Sequence, residues 1–429
     1  MSEKTAQEHY EDIVGLSGPL PVTNVDTPQA VGLVLGNDIY TPTPLPPFTR
    51  TLTDGFAVRS TDVTPGQPLH VMADMRSTND EGPTLSPHTC IRVAAQSHLP
   101  IGADTVLPES KTLEKDILHS TTPEAITPTE KVTLGQYVKG EGEELAAHSL
   151  LFRAGTQLTS AHTAALQSLG FNSLQVHRRP RIAIISTHSD ISPHKTLLTK
   201  GTVPDSGYQL VEGFLRENNV LTTPVNSAGF TPQTINELLL SCSDSVDAII
   251  TTGHTSSLVY KSVQNGYITE GISFDTIAMS PAKAQGYGHI VLQSPSTSGT
   301  YGFETVPSKT IPILCLPGTL LSTYVSLYMF VLPLIDSLKG KPTRAYKTLF
   351  HEETVGTSWA HKPGREQYIP CIRMPDGSIV PSGSQSAGSS HYLVTVPNAT
   401  GLARIPADAG NIQRGMKVDV LWTNSPMGF

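Results

Sequence analysis

Three stretches of the chain join an apolar run to an end made of small, hydroxylic or glycine residues, the composition a ligand-holding sheet edge requires. The first is Ile182 to Ile185, which leads into Ser186-Thr187-His188-Ser189-Asp190. Its apolar residues do not alternate with polar ones, as suits a parallel strand buried on both faces. Ala248 to His254 and Thr310 to Gly318 repeat the arrangement, each closing in a glycine-containing loop. Ligands of open α/β sheets sit outside the carboxyl ends of such strands, so these loops are where chemistry is expected. His188 and His254 lie on separate loops and read as surface residues rather than a metal pair, and Cys315 in its apolar strand reads as a small core residue.

The elements that must position these loops alternate strand and helix, the signature of an α/β domain. They are the strand Ile182 to Ile185, helix Ser206 to Glu217, strand Val220 to Asn226, helix Pro232 to Ser241, strand Ala248 to Thr252, and a strand and helix after Ile311. Upstream, Ala6 to Leu16 reads as an amphipathic helix with Tyr10, Ile13, Val14 and Leu16 on one face. Thr27 to Ile39 reads as a second helix with a short strand after it, stopped by the prolines of Pro42 to Pro47. From Asp54 to about Gly140 short apolar runs alternate with Gly, Pro, Asp and Ser, the pattern of a small β domain. Gly142 to Leu169 reads as helical again. Gly340 to Arg344 is the linker candidate, and the tail from Lys347 is strand-rich, with turns at Pro375-Asp376-Gly377 and Pro397-Asn398.

Composition narrows the function classes. With 37 acidic and 29 basic side chains and no block of Lys and Arg, the chain lacks the concentrated basic face that nucleic acid requires. Cys90, Cys242, Cys315 and Cys371 form no CxxC pair, which indicates neither a zinc site nor a disulfide framework and points to a reducing cytoplasm. The polar N-terminus does not read as a signal peptide. The longest apolar run, Leu320 to Ile335, falls short of the ~20 residues of a membrane span and contains Pro333, so it reads as a buried helix.

Several motifs resemble one family. They are Leu45-Pro46-Pro47-Phe48, Asp54-Gly55-Phe56-Ala57-Val58-Arg59, Ile91-Arg92-Val93, Leu99-Pro100-Ile101-Gly102-Ala103-Asp104 and Leu150-Leu151-Phe152-Arg153-Ala154-Gly155-Thr156. With Arg179-Pro180-Arg181, Leu316-Pro317-Gly318 and Gly401-Leu402, they are similar to the molybdopterin molybdenumtransferase (MoeA) and gephyrin E-domain family, in order along nearly the whole chain. The resemblance implies a multidomain α/β plus β protein: an α/β sandwich like MoaB and Mog, a small β domain inserted before it and a β-barrel-like C-terminal domain. On this pattern 1–48 with 142–178 form an elongated, dimer-forming helical subdomain, 49–141 the small β subdomain, 179–338 the α/β subdomain and 339–429 the last β subdomain. The family's enzymes insert molybdate into adenylylated molybdopterin in the cytoplasm and work as homodimers.

That reaction calls for carboxylates around a cation such as magnesium, glycine-loop donors for phosphate and positive charge for oxyanions. The resemblance places Asp54, Glu144, Asp190, Asp205, Lys283, Pro317, Gly318 and Arg365 in such a pocket. Other family positions have changed. Ala95 stands for a threonine, His188 and Ser189 for a Gly-Asp pair, Ser280 for a lysine, and Phe230 and Thr231 for paired aspartates. The loop Thr252-Gly253-His254-Thr255-Ser256-Ser257 carries no acid, and Thr319-Leu320 replaces Asn-Pro. A side chain in place of a glycine fills the approach to a phosphate. Tyr10, Tyr368 and Pro406, by contrast, match positions with which gephyrin binds a receptor segment, and aromatic anchors dominate such interfaces.

Two functions follow. The favoured one is a gephyrin-like homodimeric scaffold that binds a short peptide of a cytoskeletal, cell-division or membrane-receptor protein through Tyr10, Tyr368 and Pro406, with no cofactor, no nucleic acid and no membrane insertion. The alternative is an active molybdopterin molybdenumtransferase using magnesium and molybdopterin.

Overall fold

The computed structural model describes residues 3–76, 82–114, 121–187, 206–225, 227, 230–253, 258–268, 271–292, 309–361, 363–383 and 395–423. The chain divides into two compact units, one of Met1–Gly36, Gly155–Ala164 and Phe171–Phe429, the other of Asn37–Ala154 and Ala165–Gly170.

The first unit begins with α1 (Ala6–Gly15), started by a capping box in which the Thr5 hydroxyl accepts the Glu8 N–H and the Glu8 carboxylate accepts the Thr5 N–H. Its buried face is Ala6, His9, Tyr10 and Ile13. Then come β1 (Arg181–Ser186), α2 (Ser206–Glu217), β2 (Leu221–Val225), α3 (Ile235–Ser243), β3 (Ala248–Gly253) and α4 (Leu258–Gln264). The hairpin β4 (Ile272–Thr276) and β5 (Ala284–Leu292) follows, then β6 (Lys309–Pro317) and the long helix α5 (Leu320–Leu338). The six strands form one sheet ordered β2, β1, β3, β6, β5, β4. β2, β1, β3 and β6 run parallel, whereas β5 and β4 run antiparallel.

Both faces of this sheet are covered, which is why its strands are apolar without alternation. Ile182, Ile184, Ile250 and Leu314 join a core with residues of α1, α2 and α5. Their neighbours Ala183, Ile185, Ile249 and Ile313 join a second core with Ile235, Leu239 and Val259 of α3 and α4. Pro224 is tolerated in β2 because β2 is an edge strand. α5 is long and apolar enough to cross a membrane, but Val325, Leu327, Phe330, Leu334 and Ile335 are buried in the first core. Its middle turn, Leu327–Val331, widens to a π-helix. Pro333 lies just beyond, and a proline has no N–H and its ring crowds the carbonyl four residues back, here Met329, so the ladder must open there.

The C-terminal sheet contains β7 (His351–Thr354), β8 (Glu366–Arg373), β9 (Ile379–Pro381), β10 (Gly401–Ile405) and β11 (Lys417–Trp422). Its order is Met279–Ser280, β8, β10, β11, β7, with β9 paired to β8. The expected turn at Pro375-Asp376-Gly377 forms, with Gly377 at φ +83° and Asp376 Oδ1 accepting the Ser378 N–H at 2.9 Å. Pro397-Asn398 instead lies in a short helical turn, Thr395–Asn398.

Two helical expectations are corrected. Thr27–Ala30 is a single 3-10 turn, and the chain then enters the strand Val34–Leu35, because Gly32 at φ +81° reverses its direction. Between Gly142 and Leu169 only Ser160–Ser168 is α-helical. Gly142, His148 and Gly155 all take positive φ, which a helix does not accommodate, and Leu150–Phe152 is a strand.

The second unit carries the expected small β domain as a five-stranded sheet, ordered Thr105–Pro108, Gly55–Val58, Thr89–Val93, Leu69–Asp74, Ala125–Ile126. Phe56, Val58, Leu69, Cys90, Leu107 and Ile126 pack on one face. Arg92 is fully buried in this sheet, its charge answered by Glu109 at 2.8 Å.

Candidate active site

The parallel strands end level with one another. Ser186 of β1 pairs with Thr252 of β3, and Gly253 of β3 pairs with Pro317 of β6, so the three loops marked in the sequence leave the sheet side by side. The hairpin brings a fourth element to the same edge. Gly286 of β5 lies opposite Cys315, so the antiparallel β5 starts, and the 277–283 loop before it stands, where β6 ends. Lys283 is exposed on that loop, its carbonyl accepting the Ile277 N–H at 2.6 Å.

Among the described residues, hydroxyls rather than carboxylates dominate this edge. Thr187 donates both its N–H, at 2.9 Å, and its hydroxyl, at 2.8 Å, to the Thr252 carbonyl, fastening the end of β1 to the end of β3. Ser227 donates to the Ser186 carbonyl. The Pro317 carbonyl accepts the Thr323 hydroxyl at 2.8 Å, and Thr319 donates to Ser322 Oγ at 2.7 Å, so the half-buried Pro317-Gly318-Thr319 turn is held against α5. Thr252 differs from these residues. Its side chain is 1% exposed, and its Oγ1 has no hydrogen-bond partner among the described residues. A buried hydroxyl without a partner is costly. Burial pushes the nearby Cys315 thiol up to about 12, so it is an uncharged core residue as expected.

Arg365 joins this region through the start of β8, where Glu366 pairs with Met279 and Gln367 with Ser280. Its guanidinium is answered by Glu3, with Nε to Oε2 at 3.0 Å and a second contact from Nη2. That hydrogen bond, assisted by the charges of Arg365 and Lys283, holds the Glu3 carboxyl below its ordinary range. The structure therefore brings Lys283, Arg365, Pro317 and Gly318 to one unit and gives Arg365 a partner that no sequence pattern marked. The only signal for Glu3 is an acid in a polar N-terminus.

Asp54 and Glu144 belong to the second unit. Asp54 Oδ1 accepts the Ala95 N–H at 2.8 Å, an exposed acid bracing a neighbouring loop. Gly55 after it cannot be replaced, since a Cβ would fall 2.3 Å from the Leu107 carbonyl oxygen. Glu144 is exposed and paired with Lys139 at 2.8 Å, which lowers its carboxyl pKa. Asp190 and Asp205, together with His188 and His254, lie outside the described residues. Among the described residues no three of His, Cys, Asp or Glu converge on a point where a cation could sit.

The residues marked for partner binding separate. Pro406 is exposed. Tyr10 and Tyr368 are 3% and 1% exposed, and both belong to the first unit's core. Tyr10 donates to the Arg344 carbonyl at 2.8 Å and meets the Tyr346 ring edge-on at 5.6 Å. The Tyr346 and Tyr368 hydroxyls bond to each other and to Glu366, whose other oxygen accepts Arg404 Nε at 2.8 Å. Burial raises the Tyr368 pKa well above the ordinary phenol value. The two rings pack in the core and present no anchor at the surface.

A doubly covered, mainly parallel sheet with its loops gathered at one edge, a strand-rich C-terminal sheet and a separate small β unit together define an architecture found among molybdenum-cofactor proteins. Residues 3–170 match the family described as MoeA N-terminal region (domain I and II), and residues 354–422 match MoeA C-terminal region (domain IV); the chain belongs to the MoeA family. A curated relative, "Molybdopterin molybdenumtransferase 2" of Mycobacterium tuberculosis, is 27% identical over 430 residues, covering 97% of this chain and 99% of its own. The "Molybdopterin molybdenumtransferase" of a Nostoc species is 27% identical over 413 residues, covering 92% and 88%. The fold is that of the crystallised MoeA protein of Pyrococcus horikoshii, with a TM-score of 0.74 at 20% identity over 99% of this chain and 100% of that one.

Proposed function

We propose that this protein is a molybdopterin molybdenumtransferase, which inserts molybdate into adenylylated molybdopterin and acts as a homodimer in the cytoplasm. The observation that carries this reading is the end-to-end likeness to relatives of that name, at 27% identity across 97% of the chain. The likeness is not confined to one shared domain. Geometry supports it: the Thr252 hydroxyl, without a partner among the described residues, and the exposed Lys283 stand at the edge where the parallel strands end. There they offer a hydrogen-bond donor and a positive charge to the oxyanions of a nucleotide or of molybdate. Among the described residues the carboxylates do not assemble a magnesium site. The four-subdomain division set out from the sequence belongs to the same proposal.

The scaffold reading carries less support. It needs Tyr10 and Tyr368 as surface anchors, and both are buried, leaving Pro406 as the exposed member of the three. The test is molybdate-dependent release of AMP from adenylylated molybdopterin by the purified chain, compared with Lys283→Ala. Turnover that weakens in the variant is the expected result. No turnover by the intact chain, with or without added magnesium, would overturn the proposal.

A further inference from the structure

Glu3, Lys4 and Thr5 precede α1, and backbone bonds tie them to the loop that carries Lys283. The Lys4 carbonyl accepts the Ala278 N–H at 2.7 Å, the Ala278 carbonyl accepts the Glu366 N–H at 3.2 Å, and the Ile277 N–H donates to the Lys283 carbonyl at 2.6 Å. Residues 277 and 278 are thus bonded at once to Lys4, to Lys283 and to the residue after Arg365. Glu3, Lys283 and Arg365 are thereby gathered around one short stretch of chain, all within the first unit.

Charge is unequal at this point. Arg365 directs Nε to Glu3 Oε2 at 3.0 Å and Nη2 to Glu3 Oε1, the fork that a guanidinium offers alike to a carboxylate and to phosphate-like oxygens. Lys283 is exposed, and its ammonium has no hydrogen bond or ion pair among the described residues. The Arg365 hydrogen bond, then the charges of Arg365 and Lys283, hold the Glu3 carboxyl below its ordinary range, so one carboxylate answers two cations.

This contact is not what seats α1. The helix keeps its Thr5–Glu8 capping box, the Lys4 N–H bond to the Thr276 carbonyl, the Lys4 ammonium on Asp12 and Asp275, and the Tyr10 bond to Arg344. The Arg365 and Glu3 side chains are 39% and 35% exposed, so solutes reach them, and an ion pair so placed is held weakly.

We propose that Glu3 is a displaceable occupant of the active edge: its carboxylate fills the seat between Arg365 and Lys283 that a tetrahedral oxyanion, free or carried on a nucleotide, takes when it binds. Two cations suit a doubly charged oxyanion better than a single carboxylate, so a dianion gains by displacing Glu3 where a monoanion gains little. The choice of molybdate and nucleotide phosphate as ligands rests on the molybdenumtransferase reading; the competition itself rests on charge and geometry.

Sodium molybdate and AMP are titrated separately by calorimetry, at low and constant ionic strength, into the full-length chain, Glu3→Gln, Arg365→Gln and the double variant. Glu3→Gln should bind about two- to fivefold more tightly, the gain expected when one exposed ion pair no longer competes. The gain should vanish in the Arg365→Gln background. A gain with molybdate alone identifies the free oxyanion as the ligand, and a gain with AMP alone the nucleotide phosphate. Glu11→Gln, which removes an exposed charge elsewhere on α1, should leave both affinities unaltered. Equal affinities in the intact chain and Glu3→Gln, an equal gain in Glu11→Gln, or a gain that survives Arg365→Gln would overturn the proposal, as would no binding of either probe up to about 10 mM. AMP release from adenylylated molybdopterin, followed in the same proteins, separates the two conclusions: turnover without a Glu3 effect on binding removes only the displacement, and a Glu3 effect without turnover removes only the transferase reading.

Discussion

Two polar clusters of the first unit sit at opposite ends of a scale. Around Glu366, polar groups are buried and paired. Tyr346 and Tyr368 donate to its carboxylate, Arg404 donates to it at 2.8 Å and to Asp419 at 3.2 Å, and the Arg404 guanidinium lies over the rings of Tyr346 and Phe350. Along the carboxyl edge of the parallel sheet, hydroxyls fasten loop to loop, but the Thr252 hydroxyl is buried with no partner among the described residues. A satisfied network has its reason within the fold; an unsatisfied group points outside it. By that criterion Tyr10 and Tyr368 are accounted for within the fold, whereas the Thr252 hydroxyl, among the described residues, is not.

The largest expected effect tests the satisfied end. Tyr368→Ala removes a fully buried ring and leaves Glu366 short of a donor, and should lower stability to denaturant by about 3–5 kcal/mol. Tyr368→Phe, which keeps the ring, should cost about 1–3 kcal/mol. A ring that served only as a surface anchor would cost almost nothing in either variant. The next effect tests the other end. Thr252→Val removes the orphan hydroxyl with little change of shape. The unfolding midpoint should hold or rise slightly, while turnover should fall by a factor on the order of 10² to 10³, the usual loss for one oxyanion donor. A parallel fall in stability would show that Thr252 is a structural residue like those around Glu366.

His9 places a third point on the scale, because it is buried on α1 among apolar rings rather than among partners. It lies edge-on to Tyr287 at 4.9 Å and Phe330 at 4.6 Å, and its Nδ1 has no partner among the described residues. Burial first, then the charge of Lys4, lowers its pKa to about 4, against the opposing pull of Asp275 and Asp12. The unfolded chain titrates near the ordinary value of about 6.5, so below that pH it binds a proton the folded chain refuses. The stability contributed by neutral His9 is therefore complete above pH ~6.5 and lost as pH falls towards 4. Urea unfolding at pH ~4.5 should show roughly 2–3 kcal/mol less stability than at pH 7 from this group. His9→Phe should remove that part of the difference.

Much of the fold was legible because period and composition act locally. Helix α2 has the bounds read from the sequence, since Tyr208, Val211, Phe214 and Leu215 repeat at helical spacing, and β1, β3 and β6 declare themselves as unbroken apolar runs. The hairpin β4–β5 was not marked, because Phe274, Tyr287 and Ile290 are spread among glycines and polar residues and its register depends on pairing with the distant β6. Helical periodicity extends through positions such as Gly32 and His148 whose positive φ breaks the helix, and a histidine at φ +60° gives no warning by its type. The site was half legible. Strand ends located the edge, but residue type could not tell that Arg365 is answered by Glu3, or on which side of the surface Tyr10 and Tyr368 lie. Burial of a tyrosine is decided by what α1 packs against, and α1 packs against elements more than 300 residues further along the chain.

The smallest predicted effect concerns how α1 is held in place beside the satisfied network. Its N-terminus depends on the Thr5 hydroxyl accepting the Glu8 N–H at 3.1 Å, and Lys4 just before it exchanges backbone bonds with the 276–278 segment, Lys4 N to Thr276 O at 3.1 Å and Ala278 N to Lys4 O at 2.7 Å. Thr5→Ala removes the cap but neither the backbone bonds nor the Tyr10 contact. Loss of a threonine cap typically costs about 1 kcal/mol. The loss should fall on α1 itself, as faster hydrogen exchange in its first turn, with molybdate-dependent turnover unchanged. If exchange also quickened around Tyr346 and Tyr368, the network at Glu366 would depend on α1 for its order. If only α1 responded, the network would be self-supporting, held by Glu366 and Arg404 with Tyr10 as an added wall.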